Sequence, residues 1–378
     1  MSGADMNAKK TILVLNSGSS SLKFGVFQCG AEDEEALFNG SAEGIGRNEG
    51  SLSLKSADGK TLYEQDHVLE SQQEALKTIA GVLEKHLDEP VGAVGHRVVH
   101  GGPKLREHQL ITPEVLEQLA AAEHFAPLHV SQALKLIKEA QEIFKDCPHY
   151  ACFDDAFHRT MPEVASHLPL PQKYFMQGVM RYGFHGLSYE SLVYRLGGSI
   201  PQRAVFAHLG SGSSVCAVRE GKSIDTSMGL TPTGGLPMAT RSGDLDPGVL
   251  LYLMRAEKMD ADALEELLNH ACGLKGLSDG ESDMQALLKR DDAAAKFAVD
   301  AFATAVRKYV GAYAALMGGV DLLVFTGGIG EHSEVIRAKV CESLAFVGLG
   351  LGSSKVQVMK AEEELQMARH CRALMAHT

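Results

Sequence analysis

The stretch Thr11–Phe27, TILVLNSGSSSLKFGVF, decides the fold, because two short apolar runs flank a turn of glycine and serine. Ala204–Val218, AVFAHLGSGSSVCAV, repeats this design in the second half of the chain. Each stretch predicts a β-hairpin whose turn is rich in N–H and hydroxyl groups, a suitable cradle for phosphate oxygens. One such hairpin in each half indicates a duplicated phosphate-binding fold.

The elements predicted after each hairpin follow the same order, a meander of strands and then alternating helices and strands. His149–Phe153 and Leu322–Phe325 are apolar runs that predict buried strands in the two halves. Helices are expected at about 70–87, 113–122, 129–144, 247–257, 260–270, 280–289, 291–317, 333–344 and 362–375. We therefore expect an α/β protein with two domains of one type.

Four polar residues follow or end predicted strands. These residues are Asn16, Asp154, His208 and Thr326. Ligands of open α/β sheets bind outside the carboxyl ends of the strands, so these positions are candidates for a binding site.

Length and charge limit the class of protein. The 378 residues are 45% hydrophobic, which is enough for roughly two domains of about 150–200 residues each. The net charge of −12, without a cluster of lysine and arginine, argues against nucleic acid or an anionic membrane as a partner. Met1–Lys10 is not expected to be a signal peptide, and no apolar run reaches the roughly 20 residues of a membrane span.

The seven cysteines are scattered and form no C-x-x-C pair. This distribution favours reduced thiols in a cytoplasmic protein over disulfides or a structural zinc site.

Two glycine-rich segments are candidate nucleotide sites, although the sequence contains neither a P-loop motif nor a G-x-S-x-G motif. Asn16–Lys23 offers N–H groups, hydroxyls and one cation, and the alternative is an ordinary serine-rich hairpin. Thr326–Glu331 is expected to form the turn between a strand and a helix, where glycines allow a flat ligand to approach the backbone.

Charged side chains in glycine-rich surroundings are candidates for chemistry. Arg97 and Arg241 favour recessed guanidinium groups, which bind carboxylate or phosphate bidentately. Asp154, after a buried strand, could hold Mg²⁺ through water, and the alternative is a helix N-cap, which applies more to Asp155. His185 stands out among the histidines because glycine and aromatic residues flank it.

Eight motifs in this chain, in order and spanning nearly its whole length, resemble those of the acetate kinase family. They are Asn16–Lys23, His96–Gly102, Phe153–Asp154 with Ala156–His158, Arg181–Gly186, His208–Gly210, Asp225–Gly229, Thr240–Asp244 and Gly328–Glu331. The resemblance implies the fold of the sugar kinase, heat-shock chaperone and actin superfamily. This is an α/β fold of two duplicated ribonuclease-H-like domains with an interdomain active-site cleft. The implied domains are 10–156, completed by the C-terminal helix 364–378, and 157–363.

The resemblance also implies an activity, the reversible in-line transfer of the γ-phosphoryl group of ATP to acetate, giving acetyl phosphate and ADP. It implies Mg²⁺, with Mn²⁺ as a substitute, and a homodimer. A propionate or other short-chain acyl kinase on the same fold is the alternative that the sequence separates poorly from this one. A non-catalytic nucleotide-binding member of the superfamily is disfavoured, because the arginines and the histidine are present.

Site residues are carried over position by position. The catalytic residues implied are Asp154, His185, Arg97 and Arg241, with His185 and Arg241 stabilising the transition state. Acetate is assigned to Arg97, Val99, Leu128, Phe184 and Pro232. ATP is assigned to Asn16, Ser19, Ser21, Lys23, His208, Gly210, Ser211, Gly212, Gly328, Ile329 and Gly330. The metal is assigned to Asn16 and Glu363. Ser211 departs from the family, which usually has asparagine there.

Overall fold

The first predicted hairpin consists of β1 (Lys10–Ser17) and β2 (Ser21–Cys29), which pair antiparallel with Asn16 opposite Lys23. The structure is a computed structural model that describes residues 9–18, 21–66, 68–350 and 352–376. The chain divides into two compact units, Met1–Ala156 with Glu362–Thr378, and Phe157–Ala361.

The first unit is built on one sheet with the strand order β5-β4-β3-β2-β1-β6-β8-β7. Its further strands are β3 (Glu34–Glu43), β4 (Ser51–Ser56), β5 (Thr61–Asp66), β6 (Ala93–Val98), β7 (Gln109–Leu110) and β8 (His149–Phe153). Its helices are α1 (Gln72–Leu83), α2 (Pro113–Ala121), α3 (Pro127–Ile143) and, after the second unit, α14 (Glu363–Met375). β1, β6 and β8 run parallel, so their carboxyl ends meet at one edge of the sheet.

The C-terminal helix α14 packs on the central strands of this sheet. A Cβ atom on Gly95 of β6 would lie 2.7 Å from Cys371 Sγ of α14. The glycine therefore allows the close approach of helix and sheet. This approach brings the acidic first turn of α14, with Glu363 and Glu364, to the sheet of the first unit.

The second unit is built on a five-stranded sheet with the order β11-β10-β9-β12-β13. The strands are β9 (Arg203–Leu209), β10 (Ser213–Arg219), β11 (Lys222–Thr226), β12 (Leu322–Thr326) and β13 (Val356–Val358). The helices are α4 (Glu163–Ser166), α5 (Gln172–Met176), α6 (Gly186–Leu196), α7 (Pro247–Ala256), α8 (Ala261–Glu266), α9 (Gly273–Leu277), α10 (Met284–Lys289), α11 (Ala293–Met317), α12 (Gly327–His332) and α13 (Glu334–Cys341). A π-helical turn covers Leu267–Ala271.

Helices cover both faces of the second sheet. α11 begins at its N-cap Asp292, whose side chain accepts a hydrogen bond from the Ala295 N–H, and ends at Gly318 with a left-handed φ of 71°. Its buried residues pack in one core with alternate residues of β9 and β12. α6 packs against the opposite face in a second core. The continuous burial of β12 follows from this two-sided cover.

The two sheets share one pattern. The order β3-β2-β1-β6-β8 in the first unit corresponds to β11-β10-β9-β12-β13 in the second, with two antiparallel pairs followed by two parallel pairs in each. The prediction of a duplicated α/β fold is confirmed. None of the helices within the described ranges has the length and apolarity to cross a membrane.

Several local predictions were wrong. Thr326–Glu331 is not only a turn, because α12 begins at Gly327 directly after β12. The helix expected at 280–289 begins only at Met284, where the Asp283 side chain caps it. α6 was not predicted, because His185 at its N-cap position makes no side-chain capping bond and adopts a left-handed conformation.

Candidate active site

Arg97 joins two polar side chains at the carboxyl edge of the first sheet. Its Nη1 donates to Asn16 Oδ1 at 3.1 Å, and its Nη2 donates to Asp154 Oδ2 at 2.8 Å. Asn16 Nδ2 in turn donates to Glu364 Oε1 at 3.1 Å. We call Asn16, Arg97, Asp154 and Glu364 the Arg97 cluster. The structure thus brings together three predicted site residues and adds Glu364.

The strand register explains why these residues meet. Leu15 of β1 lies beside His96 of β6, and Val98 of β6 lies beside Phe153 of β8. Each cluster residue from the sheet therefore stands at or next to the end of one of three adjacent parallel strands. Side chains at such ends converge at one edge, where ligands of α/β sheets bind.

Burial and charge keep Arg97 ionised. Burial lowers the pKa of its guanidinium, but the negative charges of Asp154 and Glu363 outweigh burial and raise it. Burial raises the pKa of Glu363, and the charges of Asp154 and Glu364 add to this rise while Arg97 opposes it. The first unit therefore concentrates several carboxylates around a permanent cation.

Asp155, the neighbour of Asp154, is fully buried beside Arg106. Its Oδ2 lies 3.6 Å from Arg106 Nη1 and accepts a hydrogen bond from the Gly101 N–H at 3.5 Å. Burial raises the pKa of Asp155 to about 7, against the lowering effect of Arg106. Asp155 therefore holds the segment that follows β6.

The second hairpin, between β9 and β10, has a turn that is closed by its own hydrogen bonds. The Gly210 N–H donates to Ser213 Oγ and to the Gly212 carbonyl, both at 3.1 Å. The Ser211 carbonyl accepts from the Ala239 N–H at 3.1 Å, which ties the turn to the segment that carries Arg241.

His185 and Arg241 face the backbone of this turn. A Cβ atom placed on Gly212 would lie 3.3 Å from His185 Nε2 and 3.9 Å from Arg241 Nη1. Arg241 Nη1 also donates to the Pro232 carbonyl at 3.3 Å. The second unit therefore presents an imidazole nitrogen and a guanidinium to one short piece of backbone.

His185 has a left-handed backbone with φ of 60°, which costs a non-glycine residue about 1–2 kcal/mol. Its ring stacks on His208 with centroids 4.2 Å apart, and its Nδ1 lies 2.8 Å from Ser214 Oγ. The surrounding contacts therefore hold a strained residue in one orientation, which is common at functional sites.

The third segment of interest begins α12. Gly327 has φ of 76°, and a Cβ there would lie 2.7 Å from the Leu209 carbonyl oxygen, so glycine is required. Glu331 Oε1 accepts from the Gly327 N–H at 3.0 Å and from the Ala361 N–H at 2.9 Å. Of the predicted nucleotide residues here, Gly328 is exposed, Ile329 is partly buried and Gly330 is buried.

The remaining predicted residues are less informative. Ser19 and the side chain of Leu128 lie outside the described residues. Ser21 begins β2, and Lys23 is exposed. Val99 is partly buried in the first unit, whereas Phe184 and Pro232 are buried in the second.

The side chains around Arg97 offer oxygen ligands to a divalent cation. Carboxylate and amide oxygens, which Glu363 and Asn16 carry, are the ligands that Mg²⁺ prefers. The carboxylates of Asp154, Glu363 and Glu364 outnumber the Arg97 cation, and a divalent ion would offset the excess negative charge. The residues therefore fit Mg²⁺, and Glu363 fits better than Asn16, whose oxygen is engaged with Arg97.

Comparison with known proteins places this geometry in a family. The model of the acetokinase family matches residues 11–373. The chain belongs to the acetokinase family. It is a kinase, and the family uses ATP.

Individual relatives agree over nearly the full length. The acetate kinase of Coprothermobacter proteolyticus is 42% identical, and the match covers 95% of this chain and 97% of that protein. The crystal structure of Porphyromonas gingivalis acetate kinase has a TM-score of 0.85 at 35% identity, covering 97% of this chain and 100% of that one. The structure of a Francisella tularensis propionate kinase has a TM-score of 0.87 at 34% identity, covering 96% and 98%. The predicted sugar kinase and actin-like fold is confirmed.

The sequence alone missed several residues around these acetokinase segments. Arg106, Glu364, Ser214 and Tyr189 were given no role of their own, although each contacts a candidate residue or its neighbour. Arg106 and Glu364 carry charge near matched motifs, which is a signal that could have identified them. Ser214 and Tyr189 give no such signal, because their role depends on contacts between distant segments.

Proposed function

We propose that this chain catalyses the reversible, direct in-line transfer of the γ-phosphoryl group between ATP and acetate. The observation that carries the proposal is the Arg97 cluster in a member of the acetokinase family. A charged guanidinium at the carboxyl ends of parallel strands is a suitable partner for a carboxylate substrate.

Acetate needs little activation, because its carboxylate is already ionised and nucleophilic at neutral pH. Phosphoryl transfer then depends on positioning the partners in line and on neutralising charge. Arg97 binds the acetate carboxylate, and Asp154 and Asn16 fix the plane of the guanidinium. Val99, Leu128, Phe184 and Pro232 are proposed to contact the methyl group.

His185 and Arg241 are proposed to stabilise charge on the transferred phosphoryl group. The support is their common orientation toward Gly212, which places an imidazole nitrogen beside a guanidinium. Ser19, Ser21 and Lys23 are assigned to ATP on the first hairpin, as are His208, Gly210, Ser211 and Gly212 on the second. Gly328, with Ile329 and Gly330, is assigned to the nucleotide at the start of α12.

Glu363 and Asn16 are proposed to hold Mg²⁺, for which Mn²⁺ can substitute. When bound, the cation would neutralise phosphate charge and orient the nucleotide for transfer. The protein's own contribution is the cluster of carboxylates that attracts it.

Acetate is preferred to propionate as the proposed substrate. The alternative of a propionate kinase is not favoured, since the relatives at about 40% identity over most of the chain are named acetate kinases. An apolar pocket discriminates against one methylene by only about 1–3 kcal/mol, so some propionate turnover is expected.

The protein is proposed to be a cytoplasmic homodimer. All seven cysteines are free thiols, which suits a reducing compartment. α7 exposes Leu251, Tyr252 and Met254, at 50%, 62% and 44% of their surface, and a second copy of the chain is the proposed cover. Sedimentation velocity should give twice the mass of one chain, and L251E should shift the protein to monomer.

The activity is tested by trapping acetyl phosphate as acetyl hydroxamate, with ATP, Mg²⁺ and acetate as reactants. We expect hydroxamate that depends on all three reactants. Absence of product above the ATP-free blank, in an assay that detects added acetyl phosphate, would refute the proposal.

A further inference from the structure

Behind the His185 ring lies a chain of two hydroxyl groups. His185 Nδ1 is 2.8 Å from Ser214 Oγ, and Ser214 Oγ is 2.5 Å from Tyr189 Oη. Ser214 and Tyr189 are fully buried, and His185 is 8% exposed. The residues come from α6 and β10, because His185 immediately precedes α6, Tyr189 lies one turn into α6 and Ser214 lies on β10.

The direction of this chain follows from the acidity of its hydroxyls. A phenol is far more acidic than an alkyl alcohol, so the Tyr189 hydroxyl is the better donor and Ser214 Oγ the better acceptor. Ser214 has a single proton, and a hydroxyl that accepts a hydrogen bond becomes a stronger donor. With Tyr189 as the donor to Ser214, the Ser214 proton is directed to His185 Nδ1.

A nitrogen that accepts a hydrogen bond carries no proton. A neutral His185 then has its proton on Nε2, because the tautomer is set by the bond that the other nitrogen makes. Nε2 is the nitrogen that faces Gly212, beside Arg241 Nη1. The N–H group thus points to the Gly212 backbone, which the proposed function assigns to ATP.

One titratable group and one charged group lie close to the ring. The His208 ring stacks on His185 at an angle of 17°, and the Arg241 guanidinium faces the same Gly212 backbone. His208 Nδ1 is in turn 2.8 Å from Ser188 Oγ on α6. A second positive charge on His185 would be repelled by Arg241.

We propose that Ser214 and Tyr189 are positioning residues that hold His185 as the neutral Nε2–H tautomer, so that His185 donates to the transferred phosphoryl group without first being protonated. The tautomer concerns the resting protein, whereas its use in catalysis rests on the proposed function.

The tautomer is measured directly by ¹⁵N NMR of the full-length protein labelled at histidine, with H185N to assign the signals. At pH 7.5 we expect a protonated Nε2 and an unprotonated Nδ1 for His185 in wild type. In Y189F, which removes only the phenolic hydroxyl, we expect a mixture of tautomers. A protonated Nδ1 in wild type, alone or in an imidazolium, would overturn the proposal.

Kinetic measurements test whether the hydrogen bond from Ser214 to His185 affects catalysis. We expect S214A to lower kcat by roughly 10- to 100-fold, the range found when the hydrogen-bond partner of a metal-ligating histidine is removed, with KM for ATP and acetate nearly unchanged. S191A is the matched control, since Ser191 is an equally buried hydroxyl of α6 that donates to the Ser188 carbonyl. An equal loss in S191A, or no loss in S214A, would contradict the positioning role.

The two tests separate the proposal from the proposed function. If wild type shows the Nε2–H tautomer but no acetyl phosphate, the proposed function fails and the tautomer assignment stands. If wild type makes acetyl phosphate with an Nδ1–H tautomer, the positioning role fails and the function stands.

Discussion

The Arg97 guanidinium and the Asp154 carboxylate lie 2.8 Å apart at the ends of two neighbouring parallel strands. The Asp154 side chain is 1% exposed and that of Arg97 is 19% exposed, so the pair is anchored inside the first unit while part of the Arg97 side chain reaches solvent. This arrangement fits a cation that is oriented by the protein and binds an anionic substrate.

Replacing Arg97 should abolish most of the activity. R97A should lower kcat/KM for acetate by roughly 10²–10³-fold, as does the loss of one stabilising donor in other enzymes. R97K should not restore it, because an ammonium group cannot serve Asn16 and Asp154 with one planar fork. R290A, which breaks an exposed pair with Asp292, is the control and should keep wild-type kinetics. Near wild-type kcat/KM in R97A would refute the assignment.

Substitutions at two adjacent glycines, Gly327 and Gly328, should distinguish an effect on nucleotide binding from an effect on folding. A Cβ on Gly328 meets nothing within 4 Å, whereas one on Gly327 meets the Leu209 carbonyl. G328A should therefore unfold like wild type but raise KM for ATP several-fold, with KM for acetate unchanged. G327A should lower the unfolding temperature. An unchanged KM for ATP in G328A would argue against a nucleotide at this turn.

Removing the divalent metal should stop turnover, and Glu363 should determine how tightly the metal binds. EDTA should abolish hydroxamate formation, and excess Mg²⁺ should restore it. E363Q should raise the Mg²⁺ concentration needed for half-maximal rate, because an amide lacks the negative charge that attracts the ion. E362Q changes the neighbouring acid in the same way and should leave that concentration unchanged. Equal shifts of this concentration in both variants would indicate that Glu363 attracts Mg²⁺ only through the negative charge of the region and is not a ligand.

Asp155 should make stability depend on pH. Burial raises its pKa to about 7 in the folded protein, from about 4 in the unfolded chain. Between these values the folded protein holds more protons, so the free energy of unfolding falls as pH rises through about 7.

This effect is measured by urea unfolding between pH 5 and pH 8, where Asp155 contributes a fall of at most about 3 kcal/mol. D155N cannot titrate, so its free energy of unfolding should fall less over this range. D300N, at an exposed pair with Lys339, should retain the wild-type slope. Identical slopes for wild type and D155N would contradict the prediction.

Val99 should influence the choice of acyl group. V99A enlarges the proposed methyl pocket and should raise the kcat/KM ratio of propionate to acetate about fivefold, near 1 kcal/mol. V98A removes the same atoms from a fully buried neighbour in the core and should lower stability without changing the ratio. A ratio that moves only in V98A would exclude Val99 from the pocket.

The sequence was most informative where local pattern determines structure. Apolar runs ended by polar residues predicted that Asn16, Asp154, His208 and Thr326 stand at or near strand ends, and the structure confirms these positions. The glycine and serine turns predicted two hairpins, and β1–β2 and β9–β10 pair as expected.

Tertiary contacts could not be predicted in the same way. The hydrogen bond from Asn16 to Glu364 joins residues 348 positions apart, and the contact of His185 with Ser214 joins residues 29 apart. α6 was missed because the left-handed His185 begins it without a capping side chain. The roles carried over from the acetate kinase resemblance remain predictions until the variants are measured.

The central claim is that this chain transfers a phosphoryl group from ATP to acetate. The most direct measurement is ³¹P NMR of the wild-type protein with ATP, Mg²⁺ and acetate. We predict that acetyl phosphate and ADP appear in equal amounts as ATP disappears, and that omission of acetate stops the reaction. ADP with inorganic phosphate in place of acetyl phosphate, or unchanged ATP, would contradict the account.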